Sequence, residues 1–432
     1  MTSTSARSVI VADRIIDGSP PQATPDTRWD RVPEWLVVGD GVVIDRGVGP
    51  LPDTFASLPS TTVHGVLVPG FVDIHAHGAL GADFASASVA DARRAADHHH
   101  RRGTTSLIAS IATGTLTDTC SAVGRLAPLV ADGTLAGLHL EGPYLAPTRR
   151  GAHARELLRT PDTAEVDALL EAAHGSIRMV TLAPELDGAL TLVEHLVRAG
   201  VVVAIGHTDA DAATTRAAVD AGARVVTHLF NGMPPLHHRA PGPVGVALSD
   251  DRLLVELIVD GHHLDPTAIA VVEAAAPGRI ALVSDAMAAT GCSDGHYRIA
   301  GSDVIVEGGV AVLADRSSLA GSTITVSDAV VRLLAERTPS DADHPPSQAQ
   351  RPPSQAHRPP SQAHRPPSPA SAPDATVTAL ATLVDRSSAA AARTLGLPSG
   401  LTVGAPADAV VLDHSLRPTG GVLRRGTWLP SS

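Results

Sequence analysis

The sequence predicts an α/β fold: a (β/α)8 TIM-type barrel carrying a small β-sandwich domain formed by both termini. Three observations predict it. Eight short apolar runs alternate with amphipathic, alanine-rich segments, the pattern of parallel strands joined by crossover helices. The alternation spans roughly 250 residues, the usual length of such a barrel. Histidines and carboxylates recur where the runs end, and in a barrel all those ends lie on the face where active sites are built.

The runs are GFVDIHAH (70–77), TTSLIAS (104–110), LAGLHLE (135–141), IRMVTLAP (177–184), VVVAIGH (201–207), ARVVTHL (223–229), LLVELIVD (253–260) and RIALVSD (279–285). Stretches such as VADARRAADHHHRRG and LDGALTLVEHLVRAG read as the intervening helices. A doubly wound open sheet is the structural alternative, and no Gly-rich dinucleotide or P-loop fingerprint supports it. Ahead of the first run, SVIVADRIID, WLVVGDGVVIDRG and GVLVPG read as short β segments with turns. Beyond the last, DVIVEGGVAVLAD (303–315) reads as a β hairpin and SDAVVRLLAERT as a helix. A helix resumes near Thr376, and LTVGAPADAVVLD and GGVLRRGTW make a β-rich tail. The expected division is 1–68 and 397–432 for the small β domain and 69–396 for the barrel. Residues 340–374 interrupt it with a seven-residue repeat from Pro345 (PPSQAQR, PPSQAHR, PPSQAHR, PPSPASA). The repeat has almost nothing apolar to bury and reads as a disordered insert. His357 and His364 read as parts of the repeat rather than as metal ligands.

Composition narrows the chemistry. All 33 basic residues are arginines, because the chain contains no lysine. That excludes a Schiff-base lysine, a P-loop lysine and a carboxylated bridging lysine. A net charge of −12 and few aromatic residues argue against nucleic acid as a partner. Cys120 and Cys292 are the only cysteines and make neither a disulfide framework nor a Cys-rich zinc site. Any metal must therefore be held by His, Asp or Glu, and there are 21 histidines. The N-terminus lacks a basic segment followed by a long apolar one, and no run of 18 apolar residues occurs, so a cytoplasmic protein is expected.

His75 and His77 stand one residue apart at the end of the first run. A strand alternates its faces with period two, so both point the same way, about 6–7 Å apart along the strand. That suits two imidazole ligands on one metal; a hydrogen-bonded surface pair is the plainer reading. Glu141 ends the third run, His207 the fifth and Asp285 the eighth, with His228 near the end of the sixth. Singly, Asp285 reads as an N-cap, Glu141 as a turn carboxylate and His207 as a cap; six at strand ends form a pattern those readings do not produce. Glu141, His207 and His228 compose a three-ligand His/carboxylate site with room for water, as catalytic metals have. Such a site brings water toward a pKa of ~7. Asp285 is then placed to take the proton and pass it to a leaving group. His75 and His77 offer a second metal position, with Glu141 as the bridge. His98, His99 and His100 lie on the first helix, away from the strand ends, and read as structural.

In order along the chain, PGFVDIHAHG, HLEGPYL, IGHTDA, HLFNGMPPLHHR, DGHHLDP, VSDAM and LAGSTIT resemble the N-acetylglucosamine-6-phosphate deacetylases of the amidohydrolase superfamily. The HxH pair and the final Asp are general to the superfamily; HLEGP and HLxNxM followed by an arginine are more specific. The resemblance covers nearly the whole chain outside the 340–374 insert. It implies hydrolysis of the acetamide of N-acetylglucosamine 6-phosphate to glucosamine 6-phosphate and acetate. It implies metal ligands Glu141, His207 and His228, with one or two divalent ions (Zn first; Fe, Co or Mn as alternatives), and Asp285 as the catalytic acid and base. It carries a carbonyl-polarising role to His153, beside Ala152. Sugar-phosphate contacts fall on Asn231, Gly232, His263, Leu319, Ala320 and Gly321, and on Arg239, which resembles an arginine reaching across a homodimer interface. Gly232 replaces a commoner alanine, and the insert is no family feature. Another amidohydrolase activity, such as deamination or cyclic-amide hydrolysis, is the enzymatic alternative. A sugar-phosphate sensor is the non-enzymatic one, against which the retained Asp285 argues.

Overall fold

The computed structural model describes residues 7–18, 32–336 and 375–430. All eight apolar runs form strands: Phe71–Ala76, Thr104–Ala112, Gly137–Glu141, Ile177–Leu182, Val202–Ile205, Val225–Val226, Leu254–Ile258 and Ile280–Val283. Each pairs in parallel with the next, in chain order. The ring closes beyond the eighth strand. Asp285 N–H donates to the His75 carbonyl at 2.9 Å, and Ala76 forms a parallel bridge with Ala286. The fully buried Asp73 reinforces that seam by accepting from the Ser284 hydroxyl at 2.6 Å.

Parallel neighbours require crossovers, and the chain supplies capped helices for them. Ser88, Thr115, Asp162, Asp211 and Asp265 accept backbone N–H groups at the starts of Val89–Arg101, Leu116–Ala131, Thr163–Ala173, Ala212–Ala221 and Pro266–Ala275. Their apolar faces lie against the outward strand residues, among them Leu107, Leu138, Val180, Val203, Val255 and Leu282. The inward residues form two layers. The lower is apolar, with Val72, Ile74, Ile108, Met179, Val225 and Leu254. The upper is a polar chain in which His139 bridges the Ser110 hydroxyl (2.9 Å) and the Thr181 hydroxyl (2.8 Å), and Thr181 meets Thr227 at 2.8 Å. The first strand serves both layers through a bulge. Its register against the second shifts by one residue between Asp73 and Ala76, so His75 and His77 face the mouth while Val72 and Ile74 join the interior cluster.

Strands from both ends of the chain share one sheet, ordered Thr427–Trp428, Pro418–Arg424, Ala409–Leu412, Ser60–Pro69, Arg7–Ile15, Glu34–Gly39, Val42–Val48. It is one continuous seven-stranded mixed sheet that curls over itself, rather than two separate sheets. Val43 N–H donates to Ala405 O and Ala407 N–H to Gly41 O, which brings the Gly39–Val42 turn against residues 405–407 around a shared apolar cluster. Ser60–Pro69 enters the first barrel strand through Gly70, where a Cβ would meet the Thr105 hydroxyl at 2.0 Å. The hairpin expected at 303–315 forms from Ser302–Glu307 and Val310–Leu313. A third strand, Gly295–Ile299, extends it; its exposed His296 and Arg298 alternate with Tyr297 and Ile299, which pack into the apolar cluster of the small sheet, but five residues opening on glycine give a weak signal. The helix expected near Thr376 runs Ala375–Val384. The repeat with His357 and His364 lies outside the described residues. Among the described residues, no helix is long and apolar enough to cross a membrane.

The histidine triplet ends the first helix. His99 Nε2 lies 3.1 Å from the Gly78 carbonyl, and His100 stands between the Thr104 and Thr134 carbonyls at 2.7 and 2.9 Å. Burial holds His99 down at about 4 against an ordinary 6.5. The native state thus refuses a proton that the unfolded chain accepts. The contribution of His99 to stability is complete above pH ~6.5 and is lost as pH falls toward 4. Between about pH 7.5 and pH 5 this amounts to about 2 kcal/mol. Denaturant unfolding at both values is expected to show His99→Gln losing less stability than wild type over that interval, and equal losses would contradict the assignment.

Candidate metal centre and active site

The fold brings all six strand-end residues into one cluster, each buried. Three of them adopt left-handed backbone, His207 (φ 47°), His228 (φ 28°) and Asp285 (φ 47°). For a non-glycine residue this is a strained conformation that persists where surrounding structure fixes it. Glu141 is the hub. Its Oε1 lies 3.1 Å from His207 Nε2, 3.2 Å from His228 Nε2 and 3.6 Å from His75 Nε2; its Oε2 lies 3.1 Å from His77 Nε2 and 3.4 Å from His153 Nε2. Asp285 Oδ1 stands 3.6 Å from His75 Nε2 and 3.5 Å from His77 Nε2.

The imidazole nitrogens also face one another. His207 Nε2 and His228 Nε2 are 3.1 Å apart, as are His75 Nε2 and His77 Nε2. Two N–H groups cannot meet head-on, so these nitrogens suit lone pairs converging on a shared electrophile. Ligand nitrogens around a tetrahedral ion with bonds of about 2.0–2.1 Å stand roughly 3.3–3.4 Å apart. The donor set therefore fits a divalent metal. Among the described residues, two groups are compact enough to hold an ion: His75, His77 and Asp285, and Glu141, His153 and His207. Burial opposes the charge on Glu141, but the imidazoles around it, His75 first and then His153, His207 and His228, offset that and hold its carboxyl well below the ordinary range.

Outer contacts orient the ligands. His207 Nδ1 donates to the Arg149 carbonyl at 2.7 Å. His75 Nδ1 meets Glu256 Oε2 at 3.0 Å, and the same oxygen accepts His228 N–H at 3.1 Å. Glu256 is fully buried on the seventh barrel strand. The sequence reading passed over it, though a lone glutamate within the apolar run LLVELIVD was the available signal. Asp73 and His139 were missed likewise, as interior polar residues below the strand ends.

A cavity of about 200 Å³ opens above the cluster. His77, Glu141, His153, His207, His228 and Asp285 form its floor, and Ala152, Asn231, Gly232, His263, Leu319 and Gly321 are on its walls. Ala320 is fully buried and does not line it. Arg239 is exposed outside the cavity, donating to His238 Nε2 at 2.8 Å. His263 is fixed by Asp260, whose Oδ2 is 2.7 Å from Nδ1 and whose Oδ1 accepts the N–H groups of His262 and His263. Burial opposes the Asp260 charge, but these bonds and the His263 charge hold it down at about 2. Ile299, Ala300 and Ser318 complete the walls from the three-stranded sheet and the loop after it.

Glu256→Gln keeps the shape but weakens the pull on His75 Nδ1–H. Outer-contact substitutions of this kind typically cost about 10–100-fold in metal affinity. Competitive chelator titration of the metal-loaded variant is expected to show a loss in that range, and unchanged affinity would remove Glu256 from the centre.

The sequence profile of the amidohydrolase family matches residues 66–348. An N-acetylgalactosamine-6-phosphate deacetylase of Escherichia coli is 39% identical over 316 residues, 72% of this chain and 82% of that protein. An N-acetylglucosamine-6-phosphate deacetylase of Bacillus subtilis is 38% identical over 271 residues, 61% of this chain and 68% of that protein. The crystal structure of N-acetyl-D-glucosamine-6-phosphate deacetylase from Mycobacterium smegmatis matches with a TM-score of 0.82 at 38% identity, covering 98% of this chain and 100% of that one. With residues from five of its strand ends gathered on a His/carboxylate centre, the chain belongs to the amidohydrolase family, among the deacetylases of N-acetylated amino-sugar 6-phosphates.

Proposed function

We propose that the chain hydrolyses the acetamide of N-acetylglucosamine 6-phosphate to glucosamine 6-phosphate and acetate, in amino-sugar catabolism and recycling. The observation that carries this reading is the convergence of Glu141, His207 and His228 beside Asp285 on one floor, under walls that include Asn231 and His263. Glu141, His207 and His228 hold a divalent ion, with zinc the first choice and Fe, Co or Mn the alternatives; His75 and His77 serve a second. When bound, the metal supplies Lewis acidity that brings water toward a pKa of ~7 and polarises a carbonyl. Asp285 accepts the proton of the attacking water and returns it to the departing amine. His153 donates a hydrogen bond to the carbonyl oxygen as negative charge develops there, a contribution of roughly 3–4 kcal/mol per donor.

The phosphate is assigned to Asn231, the backbone at Gly232, His263 and Arg239, with Ala152, Leu319 and Gly321 shaping the sugar site. A phosphate dianion calls for a guanidinium fork and N–H donors. Arg239 is exposed and outside its own cavity, so it is assigned to the neighbouring site of a homodimer. The small β domain is assigned to 1–68 and 397–432, the barrel to 69–396, and the location to the cytoplasm. One relative is named for the galacto epimer, so both epimers belong in the assay.

Acetate release by metal-loaded protein is the test. Asp285→Asn is expected to lower kcat by ~10²–10⁴-fold with the metal retained. Arg239→Ala is expected to raise KM for the phosphorylated sugar and leave the unphosphorylated one unchanged. Full turnover in Asp285→Asn would overturn the acid–base assignment, and equal turnover of both sugars would overturn the phosphate site.

A further inference from the structure

Thr113 follows the second barrel strand directly and is buried. Two of its groups address one atom. Its Oγ1 lies 2.8 Å from His153 Nδ1, and its backbone N–H points at the same nitrogen, with N···N 3.4 Å. A backbone N–H only donates, so Nδ1 must present its lone pair. The hydroxyl has one hydrogen and two acceptors within reach, the Glu141 carbonyl at 3.2 Å and Nδ1 at 2.8 Å. Donation to the carbonyl would require Nδ1 to carry a hydrogen for Oγ1 to accept, and that hydrogen would stand against the fixed backbone N–H. The rotatable hydroxyl therefore gives its hydrogen to the nearer acceptor, Nδ1. A neutral imidazole carries one N–H, which is then on Nε2, the nitrogen 3.4 Å from Glu141 Oε2 at the cavity floor. Gly142 makes room for this arrangement, since a Cβ there would meet Thr113 Oγ1 at 2.3 Å.

We propose that Thr113 is a positioning residue that locks His153 in its Nε2–H tautomer, so that the ring presents a donor to the acetamide carbonyl oxygen. The inference rests on the deacetylase reading of the site. In the other tautomer Nε2 would present a lone pair to a developing oxyanion, which repels where the reaction needs attraction. Thr113 itself does not line the cavity that holds the ligands. It acts on the substrate only through the ring.

The test pairs kinetics with tautomer spectroscopy on the metal-loaded full chain. Thr113→Val keeps the volume and removes the hydroxyl; Thr113→Ser keeps the hydroxyl. We expect Thr113→Val to lower kcat by roughly 10–100-fold with little change in KM, at most the loss seen on deleting a whole oxyanion donor, and Thr113→Ser to restore it. In ¹⁵N-histidine spectra, His153 of the wild type should show a bare Nδ1 and a protonated Nε2, and Thr113→Val should mix the two tautomers. A protonated Nδ1 in the wild type, unchanged kcat in Thr113→Val, or loss of bound metal as the cause of its defect would each overturn the proposal. A wild type without deacetylase activity would fail the functional reading instead, while the spectra would still report on the tautomer.

Discussion

Among the buried carboxylates at or just below the mouth of the barrel, Asp73, Glu141, Glu256 and Asp285 adjoin the histidine cluster. The chain contains no lysine, and among the described residues no arginine lines the cavity above the cluster. Uncompensated charges in such a place are very costly, so buried carboxylates are either paired, protonated or bound to a cation. Asp73 is partly relieved, since burial pushes it up to about 6 despite the Ser284 and His75 N–H bonds. The others face imidazoles, which are neutral ligands when they bind metal. A divalent ion is the cation that balances this set, and the site depends on that requirement.

The fold answers it with several devices that hold ligands in place. The bulge in the first strand turns His75 and His77 toward the mouth without removing Val72 and Ile74 from the interior. Left-handed backbone at His207, His228 and Asp285 turns three further side chains toward the same point. Each strained residue costs on the order of 1–3 kcal/mol, which the surrounding barrel must offset. Beneath them the His139–Thr181–Thr227 chain keeps the layer below the ligands polar and hydrogen-bonded. The seam between Asp73 and Ser284 closes the ring next to two of the ligands, so barrel closure and site geometry are one constraint.

The barrel strands were legible because each is a short apolar run, six of the eight ended by a polar residue, and all eight runs became strands. The ligand cluster was legible for a related reason: strand ends of a parallel barrel meet, so residues distant in sequence could be grouped before any contact was known. Glu256 was hidden because its neighbours are apolar, and one charge in a buried strand does not change the pattern. Thr113 was hidden because a threonine after a strand is common and its meaning lies in which nitrogen it addresses. Gly295–Ile299 was missed because its half-buried alternation rests on two residues only, Tyr297 and Ile299, between exposed His296 and Arg298. The curl of the terminal sheet depends on turn-to-turn hydrogen bonds between residues more than 350 positions apart, which local pattern does not record.

If the His/carboxylate cluster is a metal centre, anomalous diffraction from crystals of the metal-loaded protein will show it. A peak is expected within about 2.0–2.2 Å of Glu141 Oε1, His207 Nε2 and His228 Nε2. A protein that crystallises with excess divalent metal and shows no anomalous density among those atoms would contradict it.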